Sequence, residues 1–280
     1  MKEIHITQII DSVKQLCISS NYYLGEDLRN SLEDARKKES WPIAKNILDN
    51  IVINSDIAKN ESMPICQDTG MTCVFVELGQ DVHITGGLLE DAINEGVRRG
   101  YDEGFLRKSV VEDPIMRVNT KDNTPAVIYY EIVSGDKMKI TVAPKGFGSE
   151  NMSAIKMLKP SDGIDGVKEF VLETVRKAGP NPCPPIVVGV GIGGTFDKAA
   201  NLAKKALIRN INESNCNNYY ADLEKELLEK INELGIGPQG FGGKTTALGV
   251  NVEVYPTHIA GLPVAVNINC HATRHADIEL

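Results

Sequence analysis

No run of roughly 18 uninterrupted apolar residues occurs in the chain, so the sequence offers no ordinary membrane-spanning helix. The opening stretch, MKEIHITQIIDSVKQLCISS, mixes charge with spaced apolar residues and lacks the continuous apolar segment of a secretory leader, so a cytoplasmic location is expected. Basic runs are missing too. The formal net charge is −8 with both signs interleaved, which argues against nucleic acid and anionic membranes as partners. A small anionic substrate stays compatible, because a pocket can be locally positive in an acidic protein. None of the six cysteines forms a C-x-x-C pair, which excludes a zinc ribbon or a local ferredoxin-type motif. Disulfides are not expected in a cytoplasmic chain of this size, so any shared metal must be assembled from distant segments. Internal repeats, low-complexity tracts and an obvious linker are also lacking.

What is present is the composition of an ordinary globular protein, 42% hydrophobic and 24% charged over 280 residues, a length that suits about two domains. Ile6, Ile9, Ile10, Val13, Leu16 and Cys17 recur at helical spacing, a second helix fits 26–38, and a third opens at Pro42. Strands are expected at 73–79 and 81–85, and a helix at 88–104. The β-rich runs of 126–143 surround a Ser-Gly-Asp turn, a hairpin signal. Helices are expected at 163–178, 197–212 and 219–234, and strands at 185–190, 246–255 and 262–269. The fold class read from this is mixed α/β: a helical N-terminal region, 1–60, followed by two α/β lobes at roughly 61–160 and 161–280, with loops converging on a site.

Glycine- and proline-rich loops interrupt these elements: PICQDTG (64–70), PKGFGSEN (144–151), GPNPCPPIVVGVGIGGT (179–195), GPQGFGGKTTALGV (237–250) and NINCHATRH (267–275). Such loops expose backbone N–H groups and position side chains. Cys17, Cys73 and Cys216 read as buried or incidental thiols, whereas Cys66, Cys183 and Cys270 each occupy one of the loops. Three thiolates can hold a [4Fe–4S] cluster with one iron left open, and they can equally be structural cysteines in tight turns. GVGIGG at 189–194 matches the dinucleotide pattern G-x-G-x-x-G, but the acidic residue expected about 20 positions on would fall inside a helix. A plainer function for Gly193, Gly194 and Thr195 is a tight turn whose helix N-terminus can face an anion. GFGGKTT fails as a P-loop, since Pro238 stands where a glycine is needed. Only five histidines are present, and His258 sits at a short Gly/Pro turn where a proton carrier could work. Arg107 fits either a helix-end cation or a carboxylate clamp.

Taken together and in order, PICQDTG, KGFGSEN, NPCPP, GVGIGGT, GPQGFGGKTTALGV and NCHATRHA resemble the α subunit of iron–sulfur-dependent class I fumarate hydratases, a pattern shared by the L-tartrate dehydratase α subunit. The resemblance covers the chain from about residue 5 to its end. It implies that Cys66, Cys183 and Cys270 hold a [4Fe–4S] cluster with one iron lacking a protein ligand. It further implies that Gln67, Arg107 and a glycine of the 146–148 loop (Gly146 or Gly148) bind substrate, and that Asp68 and His258 handle the proton. The implied activity is a hydro-lyase of the tricarboxylic acid cycle that interconverts fumarate and L-malate. Tartrate and mesaconate are alternative substrates. In one-chain relatives a further domain follows. Because this chain stops soon after Cys270, a separate β subunit is expected to complete the site in an α2β2 hetero-oligomer. The rivals are an NAD-dependent dehydrogenase built on GVGIGG and an electron-carrying iron–sulfur scaffold. Neither explains Gln67 and Asp68 beside a cysteine.

Overall fold

The computed structural model describes residues 2–280. In chain order the elements are β1 (Lys2–His5), α1 (Ile6–Tyr22), α2 (Glu26–Lys38), α3 (Pro42–Glu61), β2 (Met71–Gly79), β3 (Val82–Thr85), α4 (Leu89–Glu103), β4 (Val127–Val133) and β5 (Met138–Lys145). They continue with α5 (Phe147–Glu150), β6 (Ala154–Leu158), α6 (Gly163–Ala178), β7 (Ile186–Gly193), α7 (Phe196–Ala206), α8 (Asn218–Glu233), β8 (Ala247–Tyr255), β9 (Leu262–Asn269) and β10 (Ala276–Glu279). The mixed α/β class expected from the sequence is the one observed. Two compact units divide the chain. The first comprises the chain up to Leu24, Ser55–Phe147 and Arg274–Leu280; the second comprises Gly25–Asn54 and Gly148–Thr273.

The first unit is built on a four-stranded sheet in the order β10-β5-β2-β4. The apolar stripe of α1 packs with Ile93, Val97 and Tyr101 of α4 over Val74, Val76, Met138, Ile140 and Val142 of the sheet. Gly96 and Gly100 let these helices approach closely: a Cβ on either would lie 2.7 Å from the Cβ of Val13 or Cys17.

The hairpin expected at 126–143 does not form. Both strands exist, but β2 lies between them, parallel to β4 and antiparallel to β5. The intervening turn passes over the end of β2 instead. Gly79, Gln80 and Asp81 donate their N–H groups to the carbonyls of Lys137, Val133 and Gly135 at 2.8, 2.8 and 2.9 Å. The crossing depends on glycine at both contact points. Gly135 has φ +101°, and a Cβ on Gly79 would sit 2.5 Å from the Gly135 carbonyl oxygen.

In the second unit the sheet order is β6-β9-β7-β8. Ile186, Val188 and Val190 of β7 face Val171 and Val175 of α6 and Leu227 and Ile231 of α8. The alternate residues Gly189 and Gly191 lie against α7, where an added Cβ would meet the Ala203 or Ala199 carbonyl at 2.1 Å. The glycine spacing of GVGIGG is therefore a strand-to-helix packing requirement. Helix α7 ends at Ala206, six residues short of the 197–212 expected from the sequence. Buried Asn251 of β8 donates to the carbonyls of Ala206 and Arg209 at 2.9 and 3.0 Å and closes the helix there.

Candidate active site

Cys66, Gln67 and Asp68 share the loop between α3 and β2 in the first unit. Asp68 is held at both carboxylate oxygens: Oδ1 accepts from the Gly70 N–H at 3.0 Å, and Oδ2 from the Phe147 N–H at 2.9 Å. A Cβ on Gly146 would lie 3.2 Å from Oδ2, so Gly146 backs directly onto this carboxylate. The backbone carbonyl of Asp68 accepts from the buried guanidinium of Arg274. Cys66 Sγ accepts the Asp68 N–H at 3.4 Å, and its thiol donates to Gln67 Oε1 at the same distance. One turn thus orients the thiol and the carboxylate together. Gly70, at φ +76°, cannot carry a side chain, because its Cβ would lie 2.7 Å from the Lys145 backbone nitrogen.

Arg107 is exposed, and its carbonyl accepts from Thr69 Oγ1 at 3.0 Å. Asn123, wholly buried with φ +63°, spans the same two segments. It donates to the Gly70 carbonyl at 3.2 Å and accepts from Ser109 N–H at 2.7 Å. Tyr101 hydroxyl donates to the Thr69 and Gly70 carbonyls at 2.7 and 3.1 Å, and burial pushes that phenol well above its ordinary pKa, so it stays a donor. Tyr101, Asn123 and Arg274 carry no functional signal in the sequence. Tyr101 lies in a helical pattern and reads as core, and a buried Asn or Arg in a loop has no local signature.

In the second unit Cys183 adopts φ +54°, and its carbonyl accepts from the His271 N–H at 3.4 Å and lies 3.0 Å from His271 Nδ1. Gln239 donates to the Pro184 carbonyl at 2.8 Å through both its N–H and Nε2, and Nε2 lies 3.2 Å from His271 Nδ1. The Cys270 carbonyl accepts from Thr273 N–H and Oγ1 at 3.0 and 2.8 Å. His271 and Gln239 therefore tie the Cys183 and Cys270 loops together. Gly148 belongs to this neighbourhood, the Asn181 carbonyl being 3.9 Å from the position of its Cβ. The glycine-rich GPQGFGG stretch was the only sequence signal for Gln239. His258 is exposed, and its Nδ1 accepts from Ala260 N–H at 3.1 Å.

Among the described residues no three His, Cys, Asp or Glu side chains form a group for a single metal ion. Thiolates of a cubane cluster each bind a different iron, so such a cluster demands accessible thiols rather than one converging group. Cys66 and Cys270 are half-buried and Cys183 is exposed, whereas Cys17 and Cys73 are buried. Burial pushes the Cys17 thiol up to about 12, so it stays protonated, while Cys66 Sγ receives a backbone N–H suited to a thiolate. Each loop cysteine, taken by itself, has the accessibility a cluster ligand needs.

The family model for fumarate hydratase (Fumerase) matches residues 10–279. A Methanocaldococcus jannaschii protein named provisionally as an L(+)-tartrate dehydratase subunit alpha is 49% identical over 275 residues, 96% of each chain. The L(+)-tartrate dehydratase subunit alpha of Escherichia coli K12 is 32% identical, covering 99% of this chain and 94% of its own. That of Shigella sonnei matches at the same identity and coverage.

Proposed function

The chain belongs to the fumarate hydratase (Fumerase) family and is a hydro-lyase, and from that premise we propose that it is the alpha subunit of an enzyme that reversibly hydrates fumarate to L-malate. The observation that carries the reading is the 66–70 turn, in which one backbone orients an accessible thiol and a carboxylate. Cys66, Cys183 and Cys270 would hold a [4Fe–4S] cluster. When bound, that cluster leaves one iron open and supplies a Lewis acid that makes hydroxide a better leaving group.

The remaining steps belong to the protein's own residues. Asp68, with both oxygens fixed by N–H donors, has outward lone pairs in a set direction and works with His258 to move the proton at the C2 hydroxyl. Gln67 and Arg107 bind the substrate, the guanidinium holding a carboxylate and the negative charge that spreads onto it as the C3 proton leaves. Gly146 backs onto Asp68 without a side chain and keeps that surface open to substrate. Relatives carry the name subunit alpha, which supports a beta subunit as partner; an α2β2 assembly and a C3 base supplied by that subunit complete the proposal. L-tartrate is the second reading, and the names of those relatives favour it. The family model, described as fumarate hydratase, supports the malate reading.

The test is anaerobic. The chain is purified without oxygen and reconstituted with iron and sulfide. Iron is then counted in wild type and in Cys66→Ser, Cys183→Ser and Cys270→Ser. About four irons per chain are expected in wild type, with loss in each variant and a cluster spectrum that shifts on adding fumarate with the beta subunit present. Full iron retention in all three variants, or none in wild type, would sink the assignment. Comparing turnover of malate, tartrate and mesaconate then decides the substrate.

A further inference from the structure

We propose that the Gly193–Gly194 turn is the seat of the His258 turn, and that Thr257 is a positioning residue that holds His258 with its neutral-ring proton on Nε2. The catalytic consequence rests on the hydro-lyase reading above; the geometry does not.

The sequence leaves the GVGIGGT turn as an anion site facing a helix N-terminus, and the structure gives that terminus to the protein itself. Thr195 caps α7, and its hydroxyl donates to Asp197 Oδ1 at 2.6 Å. That hydroxyl, with the N–H groups of Asp197 and Lys198, holds the Asp197 carboxyl below its ordinary range. The anion of the first turn is an aspartate of the chain, and the two glycines need another explanation.

They meet the end of β8. A Cβ on Gly193 (φ +93°) would lie 2.0 Å from the Tyr255 carbonyl oxygen, closer than any substituent can approach. Gly194 (φ +69°) donates its N–H to the Pro256 carbonyl at 3.2 Å, and its own carbonyl accepts from Thr257 Oγ1 at 2.9 Å. Lys198 adds a contact from α7, its Nζ standing 4.8 Å from the centre of the Tyr255 ring. Residues 255–257 are therefore clamped, reciprocally at Gly194, to a turn that only glycine can form.

His258 begins the next turn. Its carbonyl accepts from Gly261 N–H at 2.9 Å, and its Nδ1 accepts from Ala260 N–H at 3.1 Å. A neutral imidazole nitrogen that accepts a hydrogen bond carries no proton, so the proton sits on Nε2 at the far side of the exposed ring. In the proposed reaction that Nε2–H is the end free to hydrogen-bond the leaving hydroxyl, while the proton transferred to it is an additional one carried by the Asp68–His258 pair. Thr257 contributes by fixing the residue immediately before the ring.

The experiment labels the histidines of the full-length chain with nitrogen-15 and reads the Nδ1 and Nε2 shifts of His258, assigned with His258→Gln. Wild type and Thr257→Ser should show the Nε2–H form. Thr257→Val, which keeps shape but loses the hydroxyl, should show a mixture of tautomers. With the beta subunit present, Thr257→Val should lower kcat about tenfold, leave KM for fumarate within about twofold, and be rescued by Thr257→Ser. An unmoved tautomer in Thr257→Val, or a Thr257→Ser that behaves like it, overturns the clamp. If His258→Gln keeps full turnover while the tautomer shift is seen, the hydro-lyase assignment of the ring fails and takes the kcat expectation with it, leaving the geometry standing.

Discussion

Asp68 shows how much of a site can hang on one residue without a side chain. Its Oδ1 takes the N–H of Gly70, and Gly70 can stand there only because nothing occupies the space beside the Lys145 backbone. Gly70→Ala combines a positive φ with a 2.7 Å contact to backbone, neither of which a neighbour can relieve. It should destabilise the protein by roughly 1–3 kcal/mol and release the carboxylate. Urea unfolding measures the first effect. Stability within a few tenths of a kcal/mol of wild type would mean the loop rearranges freely. Cys66, Gln67 and Asp68 stand out in the sequence because three reactive residue types adjoin on a Pro/Gly loop. Arg274, Asn123 and Tyr101, which hold that loop by its carbonyls, do not. Their contacts reach 206, 53 and 32 residues along the chain, and no local pattern encodes such distances.

Among the elements, the edge strand β8 is the clearest case of side chains completing what the backbone leaves open. Glu224 of α8, 7% exposed, accepts from the Val252 N–H at 2.8 Å and from Asn215 N–H at 3.0 Å, and pairs with Arg209. The Val252 carbonyl in turn accepts from Asn215 Nδ2 at 2.8 Å. The edge is thereby closed to another strand. Glu224→Ala would strand a largely buried guanidinium and two backbone N–H groups, with Glu253 the remaining partner of Arg209 at 2.7 Å. A loss of about 3 kcal/mol is expected, measured by denaturant unfolding. A loss below about 1 kcal/mol would show that Glu253 and water replace it. Periodicity made the helices and most strands readable, including 26–38 and 262–269 to the residue. It misjudged β4 and β5, because a turn signal reports that the chain reverses, not which strand lies between the two arms.

For the whole molecule, pH provides a test of packing. Burial raises the Cys17 thiol from 9.0 to about 12, so between those values the folded state keeps a proton that the unfolded chain releases. Stability from this group is complete below about pH 9 and is lost as pH rises toward 12, on the order of 4 kcal/mol in all. Cys17→Val should flatten that part of the unfolding-versus-pH curve. An unchanged slope would place the alkaline sensitivity elsewhere. Cys17 was legible as core from its place on the α1 stripe, since a helix shows its buried face at a fixed period. Composition, hydropathy and the ordered loop motifs determined the mixed α/β class and the family. These are properties of neighbouring residues, and physics reads them locally. Only the tertiary structure decided that β2 separates β4 from β5, that Asp197 satisfies its own helix terminus, and that Gly193 and Gly194 serve the His258 turn. Each of these depends on which atoms arrive in contact with one another, and chain folding, not sequence spacing, sets that distance.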